Sequence, residues 1–369
     1  MSTVNVNAGE GGLMWNRRQV LMHGMGLVAA SWLAPNLVRA ESVKRPELTL
    51  LNWPDYLDGG VIAAFEKQRG IKVRQVFFDS DAERDQFLVK KGGESFDLMV
   101  VNRLHLPFYV KQGWVVPVDK AALKNFGHLD PRWIAEPDES GRLLGIPYFW
   151  GTMGLAYRED LMPTPPASWM DFFRPMEVVR GRIQALESDR ELLGMALKAL
   201  GHSVNTEDNA ALTAAESLLQ EQKPHVKTYR YTDLNAEAPL VTGEVWMAMI
   251  FNGDALKLQE FNPSIRYVQP REGTVLWVDD LALGKGKGGR ELALAFLDFL
   301  LDPAMAVRNA ESLHFATPNR AALQQATREY LNNPNIFPSE ELLSHSETVR
   351  LVGARTQRRI NDIVSRLMK

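Results

Sequence analysis

Aromatic and acidic side chains stand together at two places in this 369-residue chain. One is Leu51-Asn52-Trp53-Pro54-Asp55-Tyr56 and the other is Leu276-Trp277-Val278-Asp279. In the second, the indole and the carboxylate are two residues apart, so an extended backbone puts both on one face. An aromatic face attracts a cation through its quadrupole, worth roughly 0.5 to 2 kcal/mol, and a carboxylate accepts charge-assisted hydrogen bonds. The pairing therefore suits an organic ammonium ion. Spacing alone favours a plainer arrangement, with Trp53 and Trp277 capping the edge of a core and the acids solvated.

Other chemistries find less support. The chain has no cysteine, which removes disulfides, thiolate metal sites and cysteine nucleophiles. Its seven histidines are scattered from His23 to His345 without a ligand spacing, so no metal and no cofactor is expected. The loop Gly284-Lys285-Gly286-Lys287-Gly288-Gly289 lacks the GxxxxGK[ST] spacing of a phosphate loop and reads as a solvated connection. No G-x-S-x-G elbow occurs. The acid pairs Glu187/Asp189 and Asp279/Asp280 are the only hint of hydrolysis by paired carboxylates, and chance pairs are expected among 45 acidic residues. Lys plus Arg total 42, leaving no basic excess for nucleic acid.

The elements that would position the two clusters read as α/β. Short apolar runs at 48–53, 71–77, 96–101, 183–186, 245–250 and 276–283 alternate with helical patterns at 61–68, 81–91, 106–112, 190–200, 209–222 and 290–301, the habit of a largely parallel sheet. In an open α/β sheet the C-terminal ends of strands face the ligand crevice, where the loop from Trp53 to Tyr56 would stand. Ile360, Ile363, Val364 and Leu367 mark one face of a final helix. The length exceeds that of a usual single core, so two lobes are expected.

The first 40 residues read as an export signal. Arg17 and Arg18 precede an apolar stretch too short to span a membrane, and Val38-Arg39-Ala40 supplies a cleavage site. The paired arginines resemble a twin-arginine signal. Removing residues 1–40 would take away three basic residues and one acidic, moving the net charge from −3 to −5.

Seven stretches, in order, carry a wider resemblance: LTLLNWPDYLDGGVIAAFEKQRGIKV, FDLMVV, IPYFWGTMGLAY, ESDRELLGMALKALG, VTGEVWMAMIFNGDA, REGTVLWVDDLAL and FATPNRAA. Together they resemble the periplasmic spermidine/putrescine (polyamine)-binding proteins of ABC transporters. The resemblance implies an α/β, two-lobed periplasmic-binding-protein fold (type II) with the ligand cleft between lobes. Residues 46–152 plus 278–320 would form one lobe and 153–277 plus 321–369 the other. It implies a periplasmic monomer without catalytic residues that closes on a polyamine and presents it to a permease in the inner membrane. Trp53, Asp55, Tyr56, Asn102, Ser188, Glu191, Phe251, Trp277, Asp279 and Phe315 fall at ligand-binding positions, with Asp279 expected to anchor an ammonium.

Several positions depart from that pattern. Phe251 and Phe315 stand where Trp and Tyr are usual, and Asn102-Arg103-Leu104 replaces a small polar stretch with an aromatic. Ser188 stands for an aspartate and Val349 for a glutamine. With one acid fewer, and Arg103 adding positive charge near the cleft, the same fold would suit another organic cation or an amino-acid-like zwitterion. An exported hydrolase is the remaining alternative.

Overall fold

The computed structural model describes residues 46–368; the expected signal peptide, residues 1–40, lies outside them. Ten strands are assigned among the described residues. They are β1 (Glu47–Asn52), β2 (Lys72–Phe77), β3 (Leu98–Asn102), β4 (Ile146–Arg158), β5 (Ile183–Ala185), β6 (Val226–Tyr229), β7 (Met247–Phe251), β8 (Ile265–Val268), β9 (Val275–Leu283) and β10 (Glu347–Thr348). Eight follow the order β2-β1-β3-β9-β4-β7-β5-β6, with β8 added on β4 and β10 on β9.

Alternate residues along these strands feed different cores, as the two-residue period requires. Leu48, Leu50, Leu98 and Val100 enter one cluster, while Leu51, Met99 and Val101 enter another on the opposite face. Farther along the sheet, Met247 and Met249 belong to a third cluster and Ala248 and Ile250 to a fourth. Two sheet regions, each covered on both faces, result from one rule of side-chain alternation.

The pairing is mixed rather than largely parallel. β1 runs parallel to β2 and β3, and β5 runs parallel to β6 and β7, but β9 is antiparallel to β3 and β4, and β4 is antiparallel to β7. The reason is β4. Its residues from Ile146 to Thr152 pair with β9, and those from Met153 to Tyr157 pair with β7, so one strand runs from the first sheet region into the second. All 13 of its residues are buried, which erases the polar alternation that marks a half-exposed strand.

Helix boundaries shift for local reasons. The first helix begins at Gly59, because the Asp58 carboxylate accepts the Val61 amide as an N-cap and starts the helix at the glycine pair itself. The glycine-rich loop after β9 is less a solvated connection than a seat for Asp97. A Cβ on Gly286 would lie 2.5 Å from the Asp97 amide nitrogen, and the Asp97 carboxylate accepts the Thr49 and Gly289 amides. No helix among the described residues is long and apolar enough to cross a membrane.

Candidate functional site

β9 carries the centre of the site. Trp277 and Asp279 share one face of it, and register places Asp279 between Asn102 of β3 and Phe149 of β4, with Trp277 opposite Gly151. A Cβ on Gly151 would lie 2.5 Å from the Trp277 ring, so only glycine admits the indole there. The Trp277 indole N–H is buried without a partner.

A chain of ring contacts encloses this face. Phe78 meets Trp53 at 4.4 Å between centroids, Trp53 meets Tyr231 at 6.2 Å, and Tyr231 meets Phe251 at 6.4 Å. Phe251 continues to Trp277 at 6.1 Å, Trp277 to Phe315 at 5.5 Å, and Phe315 to Tyr56 at 5.0 Å. Trp53 packs on the clusters around β1 and β3, and Tyr231 on the cluster around β5 and β7. The aromatic wall is thus contributed from both sheet regions.

Buried polar bonds hold the wall in place. Tyr148 Oη donates to the Tyr56 carbonyl at 2.8 Å and accepts from Asn309 Nδ2 at 2.8 Å, while Asn309 Oδ1 accepts the Asp58 amide. This ties down both ends of the loop after Trp53. On the other side, buried Gln184 donates to the Arg230 carbonyl and the Thr232 hydroxyl, fixing the residues that flank Tyr231.

Four carboxylates act electrostatically on Tyr231 of this wall. Burial and the charges of Asp81, Glu191, Asp254 and Asp279 push the Tyr231 phenol well above its ordinary range. Asp279 accepts a 3.0 Å hydrogen bond from Tyr56 Oη, yet burial dominates and pushes its carboxyl up to about 7. Asp254, in the first turn of the Asn252–Phe261 helix, has no hydrogen bond or ion pair among the described residues, and burial pushes it up to about 7 too. Glu191 is raised by burial although the Ser188 hydroxyl donates to it. Asp81 is the exception: burial works against its charge, but Arg84 and His105 outweigh it and hold the carboxyl below the usual range.

The fold therefore gathers Trp53, Tyr56, Phe251, Trp277, Asp279 and Phe315 into one ring-lined cluster, with Asn102 beside Asp279. Glu191, in the first turn of the Asp189–Ala199 helix, accepts from Ser188 at the N-cap position and acts on Tyr231 through its charge. Asp55 does not join them. It is exposed and forms the left-handed residue of a tight turn, φ 51°. Val349 packs against the second region's core.

Arg103 corrects an expectation. Its Nε and Nη2 each donate to Asp280 at 2.8 Å, and Nη2 also donates to the Trp133 carbonyl. Successive strand residues point to opposite faces, so Asp280 lies behind β9 and consumes the arginine there. No positive charge is left over from it for the cleft.

Tyr231, Asp254, Asp81 and Arg84 escaped sequence reasoning. Asp254 had the best available signal, following Phe251-Asn252-Gly253 just past the strand end where ligand residues collect. Among the described residues no group of acids or histidines is arranged to hold a metal.

The chain matches the family model described as bacterial extracellular solute-binding protein over residues 60–338. It is 31% identical over 329 residues to the spermidine/putrescine-binding periplasmic protein of Escherichia coli K12, covering 89% of this chain and 93% of that one. It is also 31% identical over 300 residues to the norspermidine sensor of Vibrio cholerae, covering 81% and 82%. A crystal structure of the spermidine/putrescine ABC transporter substrate-binding protein of Streptococcus pneumoniae superposes with a TM-score of 0.76 at 27% identity, covering 87% of this chain and 98% of that one. The shared architecture is the two-lobed α/β binding-protein fold expected from the sequence. With the family model spanning most of the chain and relatives aligned over nearly all of it, this chain belongs to the bacterial extracellular solute-binding protein family.

Proposed function

We propose that the chain is a periplasmic receptor that captures a polyamine-like organic cation in the ring-lined cleft and hands it to an ABC transporter permease, without catalysis and as a monomer. The observation that carries this reading is that two carboxylates beside the aromatic wall, buried Asp279 and half-buried Asp254, have no ion pair among the described residues. A buried charge without a counter-ion is costly, and an ammonium ligand supplies one. The names of the relatives, which describe polyamine binding and sensing in those proteins, point the same way.

Magnitudes fit a medium-affinity receptor. Four methylenes buried between Trp53, Tyr56, Trp277 and Phe315 would contribute about 3 kcal/mol at about 0.8 each. Micromolar affinity needs about 8 kcal/mol, so contacts to Asp279, Asp254 and Glu191 must net about 5 kcal/mol after desolvation. Residues 46–152 plus 278–320 and 153–277 plus 321–369 would be the lobes that close, because Trp53 and Tyr56 come from the first and Glu191, Tyr231, Phe251 and Asp254 from the second. A ligand touching both favours the closed form by differential contact.

Arg103 is spent on Asp280, which removes the cation on which a zwitterion reading rested. Thermal melts with putrescine, cadaverine, spermidine, agmatine and amino acids test the proposal. Ligand at about 100 times its dissociation constant adds about 2.7 kcal/mol of stability. The expected result is stabilisation by amines and not by amino acids; no shift with any amine overturns it.

A further inference from the structure

Asn309 stands on the buried face of the helix Pro303–Leu313 beside Ala306 and Ala310, where an aliphatic side chain would favour the helix more. A buried amide is costly unless its polar atoms are bonded, and both ends of this one are. Its Oδ1 accepts the Asp58 amide at 2.9 Å and its Nδ2 donates to Tyr148 Oη at 2.8 Å. The preceding residue, Arg308, donates from Nε to the Asp58 carboxylate at 2.7 Å. Two successive residues of one helix thus hold the end of the loop that carries Tyr56.

Donor and acceptor roles along this line are fixed by chemistry. A backbone N–H can only donate, so Oδ1 must face Asp58 and Nδ2 must face Tyr148. A tyrosine hydroxyl has one proton, and that of Tyr148 goes to the Tyr56 carbonyl at 2.8 Å, which can only accept. The Tyr56 ring meets Tyr148, Phe149 and Phe315 at 5.7, 5.3 and 5.0 Å between centroids, each edge-on. With its carbonyl and its ring both held, Tyr56 reaches Asp279 Oδ2 through its hydroxyl at 3.0 Å. Asp279 Oδ1 accepts no hydrogen bond among the described residues. Asn309, Tyr148, Tyr56 and Asp279 are all buried, so the line runs through the interior from one helix to the cleft face of β9.

We infer that Asn309 is a positioning residue for ligand capture. Through Tyr148 it sets the Tyr56 hydroxyl on Oδ2 of Asp279, and it thereby leaves Oδ1 as the side of the carboxylate that takes an ammonium. This rests on the polyamine reading above and deepens it. Asn309 touches no ligand in this scheme, so the decisive readout is whether its effect disappears with the Tyr56 hydroxyl.

Calorimetric titration with putrescine, cadaverine and spermidine tests it on the wild type, Tyr56→Phe, Tyr148→Phe and Asn309→Asp, and on the last two each combined with Tyr56→Phe. Asn309→Asp keeps the shape and the Asp58 bond, but its carboxylate draws the Tyr148 proton away from the Tyr56 carbonyl. Tyr56→Phe is expected to weaken the tightest-binding amine at least threefold. Tyr148→Phe and Asn309→Asp are each expected to weaken it at least threefold more when the Tyr56 hydroxyl is present than in the Tyr56→Phe background. That comparison cancels any direct effect of the new charge. A smaller loss in Tyr56→Phe overturns the inference. So does a smaller difference between the two backgrounds, which would make the line a brace for the fold alone. If Asn309→Asp does not fold, the Tyr148→Phe pair decides by the same outcomes. A wild type that binds none of the three amines overturns the polyamine reading itself, which separates the two failures.

Discussion

Asp279 and Asp280 are neighbours on one strand, both buried, and the two faces of β9 treat them oppositely. On the rear face Asp280 has no exposure and is gripped by Arg103 through two 2.8 Å hydrogen bonds. On the cleft face Asp279 accepts from one tyrosine hydroxyl and has no ion pair among the described residues. The contrast separates a carboxylate that serves the fold from one kept ready for a ligand. A structural acid is completed within the chain and a binding acid is left to be completed from outside; burial raises the proton affinity of both, so the contrast lies in their partners.

The largest effect should come from breaking the rear face. Arg103→Ala leaves Asp280 buried and unpaired, and removing one member of a buried pair costs about 3 to 5 kcal/mol. A denaturant titration should show this loss. If stability barely changes, the two faces do not differ as described.

Next in size is Asp279→Asn. Amine affinity should fall on the order of 100-fold, since losing one partner of a buried charge pair in a complex costs about 2 to 5 kcal/mol. The ligand-free protein should melt no earlier than wild type, because an uncompensated acid has been neutralised. Calorimetry alongside a thermal melt checks both; an early melt would place Asp279 with Asp280 as a structural acid.

The smallest effect is the pH dependence of the cleft face. The folded-state values of Asp279 and Asp254, about 7, lie above the roughly 4 of an unfolded carboxylate. Their protonation therefore stabilises the ligand-free fold fully below pH about 4, and this contribution is lost as pH rises through about 7. An ammonium prefers the ionised form. Amine affinity should accordingly weaken about tenfold from pH 8 to pH 6 for each carboxylate that must release a proton. A flat profile would mean that neither acid meets the ligand.

The sequence revealed the parts of this site that follow a strand. Trp277 and Asp279 were legible because a two-residue spacing in an apolar run fixes a shared face, and Trp53 and Tyr56 because they follow a strand end. β4 was not read as a strand, since burial on both faces leaves no alternation to detect. Arg84 looked like one more charge on a polar helix, and only the fold shows that its face is the inward one. Tyr231 depends on Gln184, 47 residues earlier, to hold the loop beside it, and no local pattern encodes that distance. Asp55 stands apart from the other expected residues because it is exposed and occupies the left-handed position of a turn, which the spacing of acid and aromatics does not reveal.

Gly253 bears on how such a receptor could be redesigned. A methyl group there would lie 1.9 Å from the Phe315 ring, so the floor of the cleft is a phenyl ring resting directly on backbone. Positions 253 and 315 therefore form a single unit for library construction. Randomising either alone samples mostly collisions or voids, whereas a smaller residue at 315 paired with a side chain at 253 can reshape the cleft while keeping it filled.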